Sequence, residues 1–192
     1  GLGRGAQAGV LIRDATALQT LEQVDTLVCD KTGTLTEGRP RLVTVEAWND
    51  TEEKELLRAA AAVERGSEHP LAEAICAEAK EQNVKADKVT GFEALNGKGV
   101  KGDFDGQTLR LGNRRWLEDE GIDLGELADT ANSITEEAGT PLFLALGTKA
   151  LGVLGVADAI KADSQAAIKR LHEAGIRVMM VTGDVDATAK AI

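Results

Sequence analysis

The chain has 192 residues, 43% hydrophobic and 28% charged, which is enough apolar content for one sizeable core or two modest ones. Its 22 Lys and Arg stand against 32 Asp and Glu, and the formal charge of −10 opposes binding to a polyanion, so no nucleic-acid partner is expected. Cys29 and Cys76 show no CxxC or Cys-His spacing and fit a reduced compartment, no apolar run reaches the ~18 residues of a membrane span, and the apolar run at 10–12 is too short for a secretory signal.

The first clear element is a strand. Val24, Thr26, Leu27, Val28 and Cys29 are β-branched or apolar with only Asp25 interrupting, the pattern of a covered parallel strand. It delivers Asp30 to the strand's carboxyl end, the edge where open α/β sheets gather their ligands. The loop Lys31, Thr32, Gly33, Thr34 can turn donors toward a phosphate, and a carboxylate in that position can attack a phosphoryl group. Glu37-Gly38-Arg39-Pro40 then breaks the element and suits a hinge.

A second unit begins after the break. Residues 41–48 alternate as a strand, and Asp50 with Glu53 makes a capping-box pattern for a helix that buries Leu56, Leu57, Ala60, Ala61 and Val63, with Gly66 at the C′ position. Pro70 fits the first position of another helix carrying Leu71, Ala74 and Ile75 inward, and Asn83 stops it. Residues 89–111 read as β, with a two-residue hairpin at Asp105-Gly106, and after a helix over 124–137 two apolar strands meet at Gly147-Thr148. This unit is α+β with an antiparallel sheet.

Asp158 marks a return to the first unit. Asp163 caps a helix with Ile168 and Leu171 inward and Gly175 closing it, and residues 176–181 form a second buried strand ending in Thr182, Gly183 and Asp184. A right-handed crossover sets the two strands side by side, with Asp30 next to Thr182.

Within the inserted unit, Glu64 sits in the last turn of its helix, where the macrodipole disfavours a negative charge. His69 stands at the mouth of the next helix, so both side chains can border one pocket, although spacing alone favours a solvated acid and a turn histidine. Gly97 and Gly99 let backbone approach a flat ligand, or simply serve a hairpin, and Asn113 reads locally as a helix cap.

The heptapeptide DKTGTLT at 30–36 is the signature of the P-type ATPases, ion pumps that pass through an aspartyl phosphate. Together with GVLIRDATAL at 9–18, SEHPLA at 67–72, GKGV at 97–100, GNRRWL at 112–117, VADAIK at 156–161 and MVTGD at 180–184, it resembles the heavy-metal pumps over essentially the whole chain. The copper and silver exporters are the closest subgroup. Zinc and cadmium pumps share the His-Pro motif.

The resemblance implies a discontinuous haloacid-dehalogenase-like phosphorylation domain, residues 1–38 and 157–192, incomplete at its C-terminus, with a nucleotide-binding domain, residues 39–156, inserted. It implies ATP in a pocket of Glu64, His69, Gly97, Gly99 and Asn113, and phosphorylation of Asp30 with Lys31 offsetting charge. Asp30 and the carbonyl of Thr32 would hold Mg²⁺, while Thr182, Gly183 and Asp184 meet the transferred phosphoryl. The implied partners are the pump's transmembrane and actuator domains, and the implied location is the cytosolic face of a membrane.

Ala159 departs from the proline usual after Asp158, and Val185 from a small polar residue. Because the chain stops at Ile192, before the lysine and acidic loop that complete the family's site, it is expected to bind ATP yet form little aspartyl phosphate. A haloacid-dehalogenase-like phosphatase is the main competing reading, and Thr32 opposes it, since those enzymes carry an aspartate general acid there. A noncatalytic nucleotide-binding module is the other, marked by binding without turnover.

Overall fold

The computed structural model describes residues 14–181, together with residues 6, 7 and 9. Helix α1 (Ala15–Glu22) leads into β1 (Thr26–Asp30), a kinked turn (Lys31–Leu35) and β2 (Arg41–Ala47). Then follow α2 (Glu53–Glu64), α3 (Pro70–Glu81), β3 (Thr90–Leu95), β4 (Gly99–Phe104), β5 (Gln107–Gly112), α4 (Arg114–Asp119) and α5 (Leu127–Glu136). The chain continues through β6 (Thr140–Leu146), β7 (Lys149–Ala157), α6 (Ser164–Glu173) and β8 (Arg177–Val181).

Two sheets result, one parallel and one antiparallel. β1 and β8 pair in parallel with Thr26 opposite Arg177 and Asp30 opposite Val181. The other six strands form an antiparallel sheet in the order β2-β7-β6-β5-β4-β3. The expected α/β fold, with a parallel sheet and an inserted α+β unit, is what the chain adopts.

The inserted sheet is covered on both faces, which explains why β6 and β7 read as continuous apolar runs. Leu144 and Leu154 join Leu56, Leu57, Val63 and Ile75 of α2 and α3 in one core cluster. Their chain neighbours Phe143 and Val153 point the other way and join Trp116, Leu117, Leu127 and Ile134 of α4 and α5. Each of the strand side chains Phe143, Leu144, Val153 and Leu154 is 0% exposed, so truncating one to alanine carries a cavity cost of about 2–5 kcal/mol.

Several local expectations are corrected. The capping box of α2 is Glu52 with Glu55, two residues after the expected pair, because the register that buries Leu56 and Leu57 decides where the helix opens. Gly66 does not adopt the left-handed conformation of a C′ glycine; a Cβ there would lie 2.8 Å from the Phe92 ring. Asp163 holds the N-cap position of α6, but its side chain makes no cap hydrogen bond.

The strands expected to be covered are open on one side among the described residues, with Val28, Met179 and Val181 all at least half exposed. Among the described residues the two strands pack mainly on each other, on α6 and on the turn at 31–35. Helix α1 had no counterpart in the sequence reading, and of α4 only the Asn113 cap was read. They are short, and each depends on one side-chain cap, Asp14 on the Thr16 amide at 2.8 Å and Asn113 on the Trp116 amide at 2.9 Å.

Candidate functional site

A cavity of about 520 Å³ opens between the start of α3, the end of α2 and the strands β4, β5 and β6. Glu64, His69, Gly97, Gly99 and Asn113, spread over half the inserted unit, all line it. Leu71, Leu95, Val100, Leu111, Pro141 and Leu142 supply apolar wall, so the site joins an apolar lining to a few polar groups.

Glu64 ends α2 and is only 6% exposed. Its Oε2 has no hydrogen-bond partner within the described residues. Burial pushes its carboxyl above the usual range, and the nearby Ser67 side chain pulls partly the other way. A buried carboxylate oxygen with no partner is costly unless a ligand donor meets it.

His69 is the N-cap of α3, and its Nδ1 accepts from the Leu71 amide at 3.2 Å. That bond assigns the proton of the neutral ring to Nε2, leaving a donor on the ring's other side. Pro70 at the first helical position needs no partner for the amide it lacks.

Asn113 does two jobs. Its Oδ1 caps α4 and its Nδ2 donates to the Gly97 carbonyl at 2.7 Å, tying the β3–β4 turn to the end of β5. The two glycines of that turn differ. A Cβ on Gly97 would meet nothing within 4 Å at φ +68°, whereas one on Gly99, at φ +148°, would lie 2.2 Å from the Leu111 carbonyl. The close approach of β4 to β5 by itself requires a glycine at Gly99, in keeping with the hairpin role that the sequence allowed beside ligand approach.

The second site lies at the carboxyl end of β1. Asp30 is exposed there, opposite Val181, and Lys31 beside it is buried at 8% exposure. Gly33, at φ +75°, lets the turn reverse, and its amide donates to Thr36 Oγ1 at 3.2 Å. Thr182, Gly183 and Asp184 follow Val181 directly in the chain and lie outside the described residues.

Sequence reading gave Asp158 only a positional role, yet it is the latch of this region. Its carboxylate accepts from the Thr36 hydroxyl at 2.6 Å, the Gly38 amide at 3.1 Å and the Arg39 amide at 3.0 Å. Lys161 adds a bond to the Gly33 carbonyl at 2.7 Å, and the Ser164 hydroxyl one to the Leu35 carbonyl at 2.7 Å. The two chain segments joining the sheets are thus fastened side by side. The available signal was a polar cluster at each crossing, but pairing them required the fold.

Residues 24–192 match the family described as haloacid dehalogenase-like hydrolase. The chain belongs to that family. Among curated relatives, the copper-transporting P-type ATPase of Rhizobium leguminosarum bv. viciae is 47% identical over 190 residues, 99% of this chain and 23% of its own length. The silver exporting P-type ATPase of Salmonella typhimurium is 43% identical over 192 residues, the whole of this chain and 23% of its own. This haloacid dehalogenase-like chain therefore spans under a quarter of either relative.

A solved zinc-transporting PIB-type ATPase in the E2.Pi state superposes with a TM-score of 0.75 at 31% identity, covering 99% of this chain and 31% of that one. The N-domain of HMA8, a copper-transporting P-type ATPase, superposes at 0.52 and 25% identity, covering 62% of this chain and 99% of its own. The resemblance to heavy-metal P-type ATPases read from the motifs is what these similarities return.

Proposed function

We propose that this chain is the ATP-binding and phosphorylation region of a metal-exporting P-type ATPase, moving copper or silver and standing at the cytosolic face of its membrane. Residues 39–156 form the nucleotide-binding domain, and 1–38 with 157–192 belong to the phosphorylation domain. One observation carries this reading: five separate polar and glycine positions converge on a single cavity that holds a buried carboxylate oxygen without a partner.

In that cavity Glu64 Oε2 accepts from the adenine amino group, the apolar walls sandwich the ring, and His69 Nε2 donates to the nucleotide. The Asp30 carboxylate attacks the γ-phosphorus; the new O–P bond forms as the bond to the β-bridging oxygen breaks, and ADP leaves with that electron pair. Thr182, Gly183 and Asp184 are the groups proposed to meet the transferred phosphoryl. Asp30 and the Thr32 carbonyl are hard oxygen donors of the kind Mg²⁺ prefers, and the described residues hold no competing cluster of three or more His, Cys, Asp or Glu. When bound there, the ion neutralises phosphoryl charge.

Copper or silver is favoured over zinc because relatives at 47% and 43% identity carry those names, against 31% for the zinc-transporting structure. No described helix is long and apolar enough to cross a membrane, so transport needs the transmembrane and actuator domains as partners. Calorimetry tests the nucleotide site. His69→Gln should weaken ATP binding about tenfold while leaving the circular dichroism unchanged, and equal affinity would remove the pocket assignment.

A further inference from the structure

The cavity that holds Glu64 also carries a charge of the opposite sign. Lys98 lies on the turn between β3 and β4, and among the described lining residues it is the one Lys or Arg, as Glu64 is the one acid. The two do not pair. Glu64 Oε2 meets no donor, and the Lys98 ammonium makes no hydrogen bond or ion pair among the described residues. Their depths differ as well, since Glu64 is buried and Lys98 is exposed.

The backbone under Lys98 is fixed from both sides. Its amide donates to the Leu95 carbonyl at 3.0 Å, and its carbonyl accepts from the Asn113 amide at 2.9 Å. Asn113 Nδ2 holds the preceding Gly97 carbonyl at 2.7 Å, so the turn is clasped to the end of β5. Cations on the neighbouring elements are already engaged, Lys101 with Glu93 at 3.0 Å, Arg110 with Glu120 at 3.1 Å and Arg114 with Glu118 at 2.6 Å.

An unpaired acceptor deep in a cavity and an unpaired cation on its exposed side are complementary to a ligand with a donor at one end and an anion at the other. Resting on the nucleotide reading of the cavity, we propose that Lys98 binds the phosphate chain and makes the site discriminate by phosphate number. The chain's formal charge of −10 repels a polyanion, and a local ammonium offsets that repulsion where the phosphates lie. Lysine acts as a point charge on a flexible stem, so it meets successive phosphates without one fixed geometry. Adenosine, which has no phosphate, gains nothing from it.

Calorimetry of the full chain without divalent cations, using ATP, ADP, AMP and adenosine, tests this in Lys98→Ala, Lys98→Arg and Lys98→Glu. Solvent around the ammonium moderates the contact, so Lys98→Ala should weaken ATP about fivefold, ADP less, and leave adenosine unchanged. Lys98→Arg keeps the charge and should retain most of the ATP affinity, while Lys98→Glu should lose more than Lys98→Ala. The ATP difference between the unaltered chain and Lys98→Ala should shrink as ionic strength rises from about 0.01 to 0.15 M. A damaged fold would weaken all four ligands together. That result, or ATP affinity untouched in Lys98→Ala, overturns the proposal while the nucleotide reading stands. An unaltered chain that binds neither ATP nor adenosine removes the nucleotide reading itself, and the phosphate role of Lys98 with it.

Discussion

Replacing Asp158 by alanine should loosen the fastening between the two sheets. The change removes the acceptor of three donors, but they are not equal. Gly38 and Arg39 are exposed, so their amides recover water and cost only tenths of a kcal/mol. Thr36 is fully buried at 0% exposure, and its hydroxyl falls back on the Lys31 carbonyl at 3.1 Å, exchanging a charged acceptor for a neutral one. The dominant loss is one charge-assisted bond, and solvent around the half-buried carboxylate holds the total to about 2 kcal/mol.

Two amides report this opening without themselves bonding Asp158: Glu37, donating to the Ala159 carbonyl at 2.8 Å, and Lys161, donating to the Leu35 carbonyl at 3.0 Å. Their hydrogen exchange should accelerate about 30-fold in Asp158→Ala, the equivalent of about 2 kcal/mol. Asp158→Asn keeps a neutral acceptor and should give about half the free-energy change. Protection at Glu37 and Lys161 equal to the unaltered chain, with an unchanged urea midpoint, would refute the latch.

Three further outcomes are expected. Gly99→Ala should destabilise the inserted unit by about 3 kcal/mol or more in urea, since its Cβ would collide with the Leu111 carbonyl, while Gly97→Ala, facing open space, should cost only about 1–2 kcal/mol for its left-handed backbone; equal costs would contradict the contact assigned to Gly99. Asn113→Asp should keep the α4 cap but lose the donor to the Gly97 carbonyl, lowering ATP affinity more than stability, whereas Asn113→Ala should also cost about 1 kcal/mol of stability; thermal melts beside calorimetry separate the two. Glu64 is raised in the folded chain from 4.5, so its favourable share of stability is complete below pH 4.5 and is lost as pH rises through the folded value. Glu64→Gln should therefore flatten the stability–pH curve above that point and leave acid stability unchanged, and an unaltered curve would mean the carboxyl is not desolvated.

Much of the chain was legible because the deciding interactions are short-range. The strand ending at Asp30, the proline-led start of α3, the hairpin at Asp105-Gly106 and the Asn113 cap each depend on residues within a few positions. The candidate pocket was legible for another reason. Glu64, His69, Gly97, Gly99 and Asn113 sit in motifs similar to those of known pumps, and their convergence on one cavity agrees with that similarity. The Gly66 and Asp163 expectations failed where local preference met a tertiary contact or found no bond to make.

The sequence by itself determined the nucleophile candidate at a strand end, the alternation of elements and the discontinuous layout, since apolar periodicity and turn chemistry are properties of neighbouring residues. Only the tertiary structure decided that Glu64 is buried with an unsatisfied oxygen, that Gly99 is required by β5 and that Asp158 latches Thr36 across 122 positions. Those facts depend on desolvation and on close approach between distant segments, and neither exists until the sheets have formed.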